Sequence, residues 1–168
     1  QAPAFGAPPS TPIKHIVVLI QENRTFNNLF AQFPGATGTT TGLERIKKGR
    51  KWKQKKIALA QVPLEDKKNL NHLYVSYLTA YDKGEMDGFN RIIFQSTGKP
   101  ENALPYQYVR QSDVQPYWDM ATQYGLANAM FSTQGSGSFT AHQDLIRGGT
   151  EIGGDVSMID DPTSNSAW

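Results

Sequence analysis

The chain has 168 residues and 38% of them are hydrophobic, which is enough for the core of one ordinary domain and excludes disorder throughout. It contains no cysteine, which excludes a disulfide framework, a zinc site with cysteine ligands and a thiol nucleophile among these residues. The net charge is only +2, but seven of the 17 Lys and Arg residues lie in KKGRKWKQKK at 47–56, the basic block.

The first twelve residues, QAPAFGAPPSTP, are rich in Ala and Pro and do not begin with Met. This composition is typical of the flexible start of a mature exported chain whose signal peptide has been removed. No stretch of the sequence approaches the roughly 18 apolar residues of a membrane span. We therefore expect residues 1–12 to be a flexible N-terminus and the protein to be secreted or periplasmic.

The first predicted strand is IVVLI at 16–20, where five apolar residues follow one another. Such a run is typical of a strand that is buried on both faces, as in a parallel sheet. Glu22, Asn23 and Arg24 come next, where the strand would end, and open α/β sheets bind ligands at the carboxyl ends of their strands. TFNNLF at 25–30 then predicts a short helical turn that leads into a loop.

The basic block follows this loop, and together with IALAQVP at 57–63 it predicts a hairpin or excursion over about residues 44–57. A run of this kind is usually solvated, so we expect no nucleic acid partner. Its clustered charge could nevertheless attract an anionic substrate or make peripheral contact with an anionic surface.

Two helices are predicted in the middle of the chain. Residues 70–81 predict an amphipathic helix, because apolar side chains recur there every three or four residues. QPYWDMATQY at 115–124 predicts a second helix, with Pro116 at an early position and Gly125 just past its end.

The last predicted elements are a short buried strand at 126–131 and a helix that begins near Thr140, where the spacing to Gln143 matches a capping box. A Gly/Ser loop separates them. Strand, Gly/Ser loop and helix in this order are typical of α/β folds, in which such loops carry functional side chains.

Two groups of residues are candidates for chemistry. Ser138 would lie just before a helix N-terminus, where backbone N–H groups and the helix dipole favour an anion, although a serine there can also be a cap or linker residue. Glu22 and Asn23 could supply oxygen ligands to a divalent cation, the alternative being a surface acid paired with Arg24.

The histidines are weaker candidates. His72 falls off the apolar stripe of its predicted helix, so it is either a surface residue or part of a separate polar site. His142 follows Ser138 by four residues, which raises the idea of a serine hydrolase, but no G-x-S-x-G motif is present.

IKHIVVLIQENRTFNNLF at 13–30 closely resembles the opening motif of the bacterial phosphoesterase family, which contains secreted acid phosphatases and non-specific phospholipases C. Three further segments are similar to the family's motifs in the same order. They are NHLYVSYLTAYDKGEMDGF at 71–89, PYWDMATQYGLANAMFST at 116–133 and GSFTAHQDLIRGG at 137–149. Four ordered matches are far more specific than any one of them.

The resemblance implies an α/β fold of the alkaline-phosphatase-like type, a sandwich with a mainly parallel central sheet flanked by helices. It implies a divalent metal ion held by Glu22, Asn23 and Ser138, with Ser138 also the nucleophile that forms a phosphoserine intermediate. His72, and less directly His142, would contact the phosphate or the leaving group. The implied activity is metal-dependent hydrolysis of phosphate esters, as in acid phosphatases. The alternatives are a phospholipase C type phosphodiesterase acting on phospholipid head groups and a non-catalytic fragment that binds phosphate or a partner chain.

The chain also departs from the family pattern. Asn27 stands where Asp is frequent, Ala31 where Gly is common, and Gly137 and Thr140 replace two prolines that flank Ser138. Family members carry a further acidic pair late in the chain, and neither Asp160 nor Asp161 matches it. We therefore expect residues 13–168 to be the N-terminal portion of a phosphoesterase catalytic domain, inactive without a C-terminal part that could be a second chain.

Overall fold

The structure is a computed structural model of the chain, and it describes residues 12–21, 24–65, 70–94, 97–100, 103–132 and 138–147. The strands are β1 (Thr41–Lys48), β2 (Lys51–Ala58), β3 (Ala60–Val62) and β4 (Gln107–Val109). The helices are α1 (Phe26–Phe30), α2 (Tyr74–Tyr81), α3 (Gln111–Tyr124) and α4 (Ser138–Arg147), with 3₁₀ turns at Asp82–Gly84 and Phe89–Arg91. No helix in this part of the chain has the length and apolar character needed to cross a membrane.

The basic block lies in an antiparallel hairpin, as its sequence predicts. β1 pairs with β2 from Thr41 opposite Ala58 to Lys48 opposite Lys51, and the turn holds Gly49 and Arg50. Gly49 has a φ of 63°, a conformation that glycine adopts without steric cost and that suits a two-residue hairpin turn.

A parallel sheet and helices make this a mixed α/β fold. β3 and β4 pair in parallel, from Ala60 opposite Gln107 to Val62 opposite Val109. The chain enters α3 directly after β4, so Val109 at the strand end and Val114 and Trp118 on the helix form one buried cluster. The Trp118 indole donates a hydrogen bond of 2.8 Å to Leu29 O, which fixes α1 against α3.

The predicted strand at 16–20 is wrong in the structure. These residues belong to no helix or strand, and Leu19 and Ile16 are 88% and 83% exposed. An apolar run becomes a strand only when another strand accepts its backbone hydrogen bonds. Neither sheet of the described residues provides that partner.

The predicted strand at 126–131 is also wrong. The chain turns at residues 128–129, and Met130 and Phe131 are 72% and 82% exposed. Asn128 explains the turn, because its Oδ1 accepts hydrogen bonds from Thr37 N at 2.8 Å and from Thr37 Oγ1 at 3.1 Å. The chain at residues 126–131 is thus fixed by side-chain hydrogen bonds to a distant loop and not by the backbone ladder of a strand.

The three long helices form near their predicted positions but begin elsewhere. α2 starts at Tyr74, because the Asn71 side chain first turns the chain by accepting from Leu73 N at 2.8 Å. α3 starts at Gln111, which places Pro116 inside the helix rather than at its beginning. α4 starts at Ser138, so this serine is the first helical residue and does not precede the helix.

Candidate functional site

The described residues on either side of Glu22 and Asn23 are held in place by hydrogen bonds. Glu22 and Asn23, the predicted metal ligands, lie outside the described residues. Before them, Gln21 Oε1 accepts a hydrogen bond of 2.5 Å from the Tyr117 hydroxyl of α3. After them, the Arg24 guanidinium donates to Leu64 O. The chain that leads into and out of the predicted ligands is therefore fixed to α3 and to the end of β3.

A second residue of α3 supports the Arg24 contact. Leu64 N donates a hydrogen bond of 2.9 Å to Asp113 Oδ2, while Arg110 Nε donates to Asp113 Oδ1 at 2.7 Å. The Arg110 side chain first, and then the Leu64 N–H, lower the pKa of Asp113. Asp113 is therefore ionised at neutral pH, and it positions the residue whose carbonyl holds Arg24.

α1 is a five-residue helix whose N-terminus is closed by reciprocal capping hydrogen bonds. Asn28 N donates to Thr25 Oγ1 and Thr25 N donates to Asn28 Oδ1, each at 3.1 Å, which is a capping box. The remaining amide group of Asn28 donates to Gln107 O of β4 at 2.9 Å. This arrangement orients the chain segment that begins at Arg24 against the parallel sheet.

Asn27, one of the departures from the family pattern, has a structural role that requires an amide. Its Nδ2 donates to Thr39 O at 3.0 Å and its Oδ1 accepts from Thr39 N at 2.7 Å. The Asn27 side-chain amide thus pairs with the N–H and C=O of Thr39 in the way that a neighbouring strand would. A carboxylate could accept the second bond but could not donate the first.

A cavity of about 720 Å³ lies beside this segment, lined by residues from α1, β1, β3, α2 and β4. Much of its wall is apolar and includes Leu73, Tyr77, Met86, Phe89 and Ile92. Arg24 and His72 are the two described lining residues with a basic side chain, and no described lining residue is Asp or Glu. A concave apolar site with a few polar groups is typical of small-molecule binding, and positive charge without a carboxylate favours an anionic ligand.

His72 reaches this cavity because its neighbour is fixed. Asn71 N donates to Ile93 O at 3.0 Å, and Asn71 Oδ1 accepts from Ser76 Oγ at 3.0 Å as well as from Leu73 N. His72 itself is exposed and lies just before α2 rather than within it. His72 is therefore a solvent-exposed residue that also contributes to the lining of the cavity.

A second cluster of charges lies behind the α2 side of the cavity. The Arg45 guanidinium pairs with Asp82 and, at 3.6 Å, with Asp87 Oδ1, and Arg91 Nη1 lies 3.7 Å from Asp82. Asp87 is only 2% exposed and its backbone carbonyl accepts from Arg45 N at 2.8 Å. These carboxylates are neutralised by arginines, so the cluster joins the 3₁₀ turns to β1 and is not a cation site.

Gly88, next to Asp87, allows the 3₁₀ turn to contact α2. A Cβ atom at this position would lie 1.8 Å from Thr79 O, while the Gly88 φ of −88° suits any residue. The glycine is required by space and not by backbone conformation. The sequence MDGF at 86–89 thus contains a buried acid and a close backbone contact, and its resemblance to a family motif was the available signal for both.

Tyr106 closes the cavity on the side of β1. It is 4% exposed, and its hydroxyl donates a hydrogen bond of 2.7 Å to Leu43 O. Burial first, with the negative charges of Glu44 and Asp87, raises the pKa of Tyr106 to about 12, although a hydrogen bond from the Asn90 backbone lowers it. The phenol is therefore neutral and structural at physiological pH, and nothing in the local sequence pattern predicts this role.

α4 contains the other predicted site residues. Ser138 is its first residue, and its side chain lies outside the described part of the structure. His142 is half-buried and Asp144 is 7% exposed. The described lining of the cavity contains Arg24 and His72 but not His142. No group of three His, Asp or Glu side chains that could hold a metal ion occurs within the described ranges, which omit Glu22.

The family assignment follows from a comparison with protein-family models. The Phosphoesterase family model matches residues 13–167, so the chain belongs to the Phosphoesterase family. Comparison with curated proteins and with solved structures gave no match. Family membership supports an enzyme that hydrolyses phosphate esters.

Proposed function

We propose that this protein is a metal-dependent phosphomonoesterase that acts through a phosphoserine at Ser138. The observation that supports it best is the cavity lined by Arg24 and His72, which contains a guanidinium and an imidazole but no carboxylate among its described residues. Arg24 donates a single hydrogen bond to the described residues, to Leu64 O, although a guanidinium has five N–H groups. Its other donors are suited to the oxygens of a phosphoryl group.

The metal would be a divalent cation held by Glu22, Asn23 and Ser138, because carboxylate, amide and hydroxyl oxygens are ligands that hard cations take. When bound, it would neutralise charge on the phosphoryl group and lower the pKa of the serine. Ser138 Oγ loses its proton to solvent and forms a bond to phosphorus, the ester P–O bond breaks, and the leaving oxygen takes up a proton, so the step consumes no net proton. Water next hydrolyses the phosphoserine, which releases phosphate and restores the serine hydroxyl.

Two side chains would assist these steps. Arg24 binds the phosphoryl oxygens, which carry more negative charge as the transition state forms. His72 supplies the proton to the leaving oxygen or contacts the phosphate, and His142 is the alternative if α4 approaches the same position. Both roles need an imidazole within hydrogen-bond reach of the substrate.

A phospholipase C type phosphodiesterase is the second candidate. The apolar wall formed by Leu73, Tyr77 and Phe89 favours it, because a diester of a lipid presents an apolar group next to its phosphate. The third candidate is a chain that binds phosphate or a partner without turnover. It gains support from Ile16 to Ile20, because exposed apolar runs of this kind are usually covered by further polypeptide.

The test uses the protein together with the C-terminal part that the family resemblance implies. It compares hydrolysis of p-nitrophenyl phosphate and p-nitrophenyl phosphorylcholine, with divalent metals and with a chelator. The proposal requires faster hydrolysis of the monoester, loss of activity with chelator, and recovery on adding metal. Faster hydrolysis of the phosphorylcholine ester would favour the diesterase. Phosphate binding without turnover in every form of the protein would favour the non-catalytic chain. Export is proposed with the same function, and fractionation of producing cells tests it.

Arg24→Gln tests the role of the cavity. We expect kcat/KM to fall by about 30-fold, because a hydrogen bond to a charged group contributes about 2 kcal/mol. Arg50→Gln is the matched control, since it removes the same charge from the exposed hairpin turn. Equal activity of the two variants would contradict an anion site at Arg24.

A further inference from the structure

A large share of the positive charge of this protein lies in the β1–β2 hairpin. The basic block holds seven Lys and Arg residues and no Asp or Glu, so the remainder of the chain has ten Lys and Arg against 15 Asp and Glu. The hairpin tip, defined here as residues 47–53, is exposed throughout. The basic block therefore carries a concentrated positive charge, while the remaining residues are net negative.

Positive charge occurs on both faces of the tip. Residues opposite each other in an antiparallel pair share a face, so Lys47 lies with Trp52 on one face. Lys48 lies with Lys51 on the other, where Lys53 follows two residues along β2. An anionic surface that meets the end of the hairpin would contact cations on either side.

The cations of the tip have no acidic partner among the residues that the structure describes. In the basic block, Lys55 pairs with Glu44 at 3.1 Å, but the five cations of the tip form no ion pair in the described part of the chain. Hydrogen bonds to the rest of the fold are made nearer the base, where Gln54 Nε2 donates to Glu85 Oε2 at 3.0 Å. Binding an anionic partner at the tip would break none of these contacts.

Trp52 adds an apolar group to the tip. It is 54% exposed, and the Arg45 guanidinium lies 5.8 Å from the ring centre. One contact of this kind holds the ring without burying it. An exposed indole among lysines matches the interface of a lipid bilayer, where Trp lies at the level of the head groups and Lys side chains reach the lipid phosphates.

We propose that the tip binds the surface of a membrane that contains anionic phospholipid. A nucleic acid fits less well for two reasons. Base recognition relies mainly on arginine, and the tip has Arg50 as its single arginine. The net negative charge of the remaining chain would also oppose contact along an extended phosphate backbone. This inference does not depend on the proposed phosphatase activity.

The experiment is sedimentation of the purified protein with vesicles of phosphatidylcholine alone or with 30% phosphatidylserine. We expect binding to the mixed vesicles only, and loss of that binding in about 0.5 M NaCl, because salt screens surface charge. Lys53→Glu should weaken binding by at least fivefold, since each lysine near an anionic surface contributes about 1 kcal/mol. Lys99→Glu, an equal charge change at an exposed residue outside the hairpin, should leave binding within twofold.

Trp52→Phe supplies a second measurement. The fluorescence of the protein should shift to shorter wavelength with the mixed vesicles, and this shift should be absent in Trp52→Phe. Three outcomes would overturn the proposal: equal binding to both kinds of vesicle, equal weakening by Lys53→Glu and Lys99→Glu, or tighter binding to a 30-base-pair DNA duplex than to the mixed vesicles.

Discussion

Gly88→Ala should destabilise the protein severely, and the structure gives the reason. The added Cβ would lie 1.8 Å from Thr79 O and 2.9 Å from Thr79 C. Both are backbone atoms near the end of α2, so no side chain can rotate away. The 3₁₀ turn at Phe89–Arg91 and α2 would have to separate by more than about 1 Å to restore ordinary contact distances.

The cost can be estimated from the contacts that such a separation disturbs. Gly88 N donates to Ala80 O at 3.3 Å, and Asp87 O accepts from Arg45 N at 2.8 Å. Two backbone hydrogen bonds contribute about 1 kcal/mol each, and overpacking adds about 1–3 kcal/mol. The expected loss of about 3–5 kcal/mol is a large part of the stability of an ordinary domain, which is about 5–15 kcal/mol.

Urea denaturation followed by circular dichroism measures this loss. The control is Gly98→Ala, because Gly98 has a φ of 65° and open space around it, so alanine costs only about 1 kcal/mol of backbone strain there. If Gly88→Ala fails to fold while Gly98→Ala folds, the prediction holds. A Gly88→Ala protein as stable as Gly98→Ala would show that the contact with Thr79 is wrong.

Three further predictions concern side chains that hold the site. Asn27→Asp should cost about 1–2 kcal/mol in urea denaturation, because the bond to Thr39 O is lost, whereas Asn128→Asp keeps its acceptor role and should be nearly neutral. The pKa of Asp113 is lowered in the folded state, so the stability that this carboxylate contributes is present above the unfolded pKa of 3.8 and is lost as pH falls. The melting temperature of Asp113→Asn should therefore depend less on pH between pH 2.5 and 5 than that of the unsubstituted protein. The pKa of Tyr106 is raised to about 12, so stability should be full below about pH 10 and fall by about 2 kcal/mol towards pH 12, a loss that Tyr106→Phe should not show.

The features that sequence predicted well are local ones. The hairpin depends on residues at most 17 positions apart, and Gly49 marks its turn. α1 depends on Thr25 and Asn28, whose capping contacts span three residues. The positions of α2 and α3 follow from apolar periodicity. α2 nevertheless begins later than its periodicity predicts, because the Asn71 side chain accepts hydrogen bonds that turn the chain before the helix.

The strands outside the hairpin were predicted poorly because a strand is defined by its partner. The run at 16–20 has the composition of a buried strand, yet the parallel pair in the structure uses AQV and QYV, segments that are shorter and less apolar. β3 and β4 are 47 positions apart in register, and no local pattern encodes that distance. The links between Arg24 and Leu64, Tyr106 and Leu43, and Trp118 and Leu29 are similarly remote.

The family motifs therefore carry two kinds of residue, and the structure separates them. Asn28, Asp87 and Gly88 use their side chains, or the lack of one, to join elements, so substituting them should change stability first and activity as a consequence. Arg24 and His72 line the cavity, where a substitution can change activity while the fold is kept. Arg24 belongs to both kinds, because one of its donors holds Leu64 O and its other donors would bind the phosphate of the proposed substrate. Arg24→Lys keeps the charge but loses the planar set of donors, so a loss of kcat/KM without a loss of stability would assign the residue to the substrate and not to the fold.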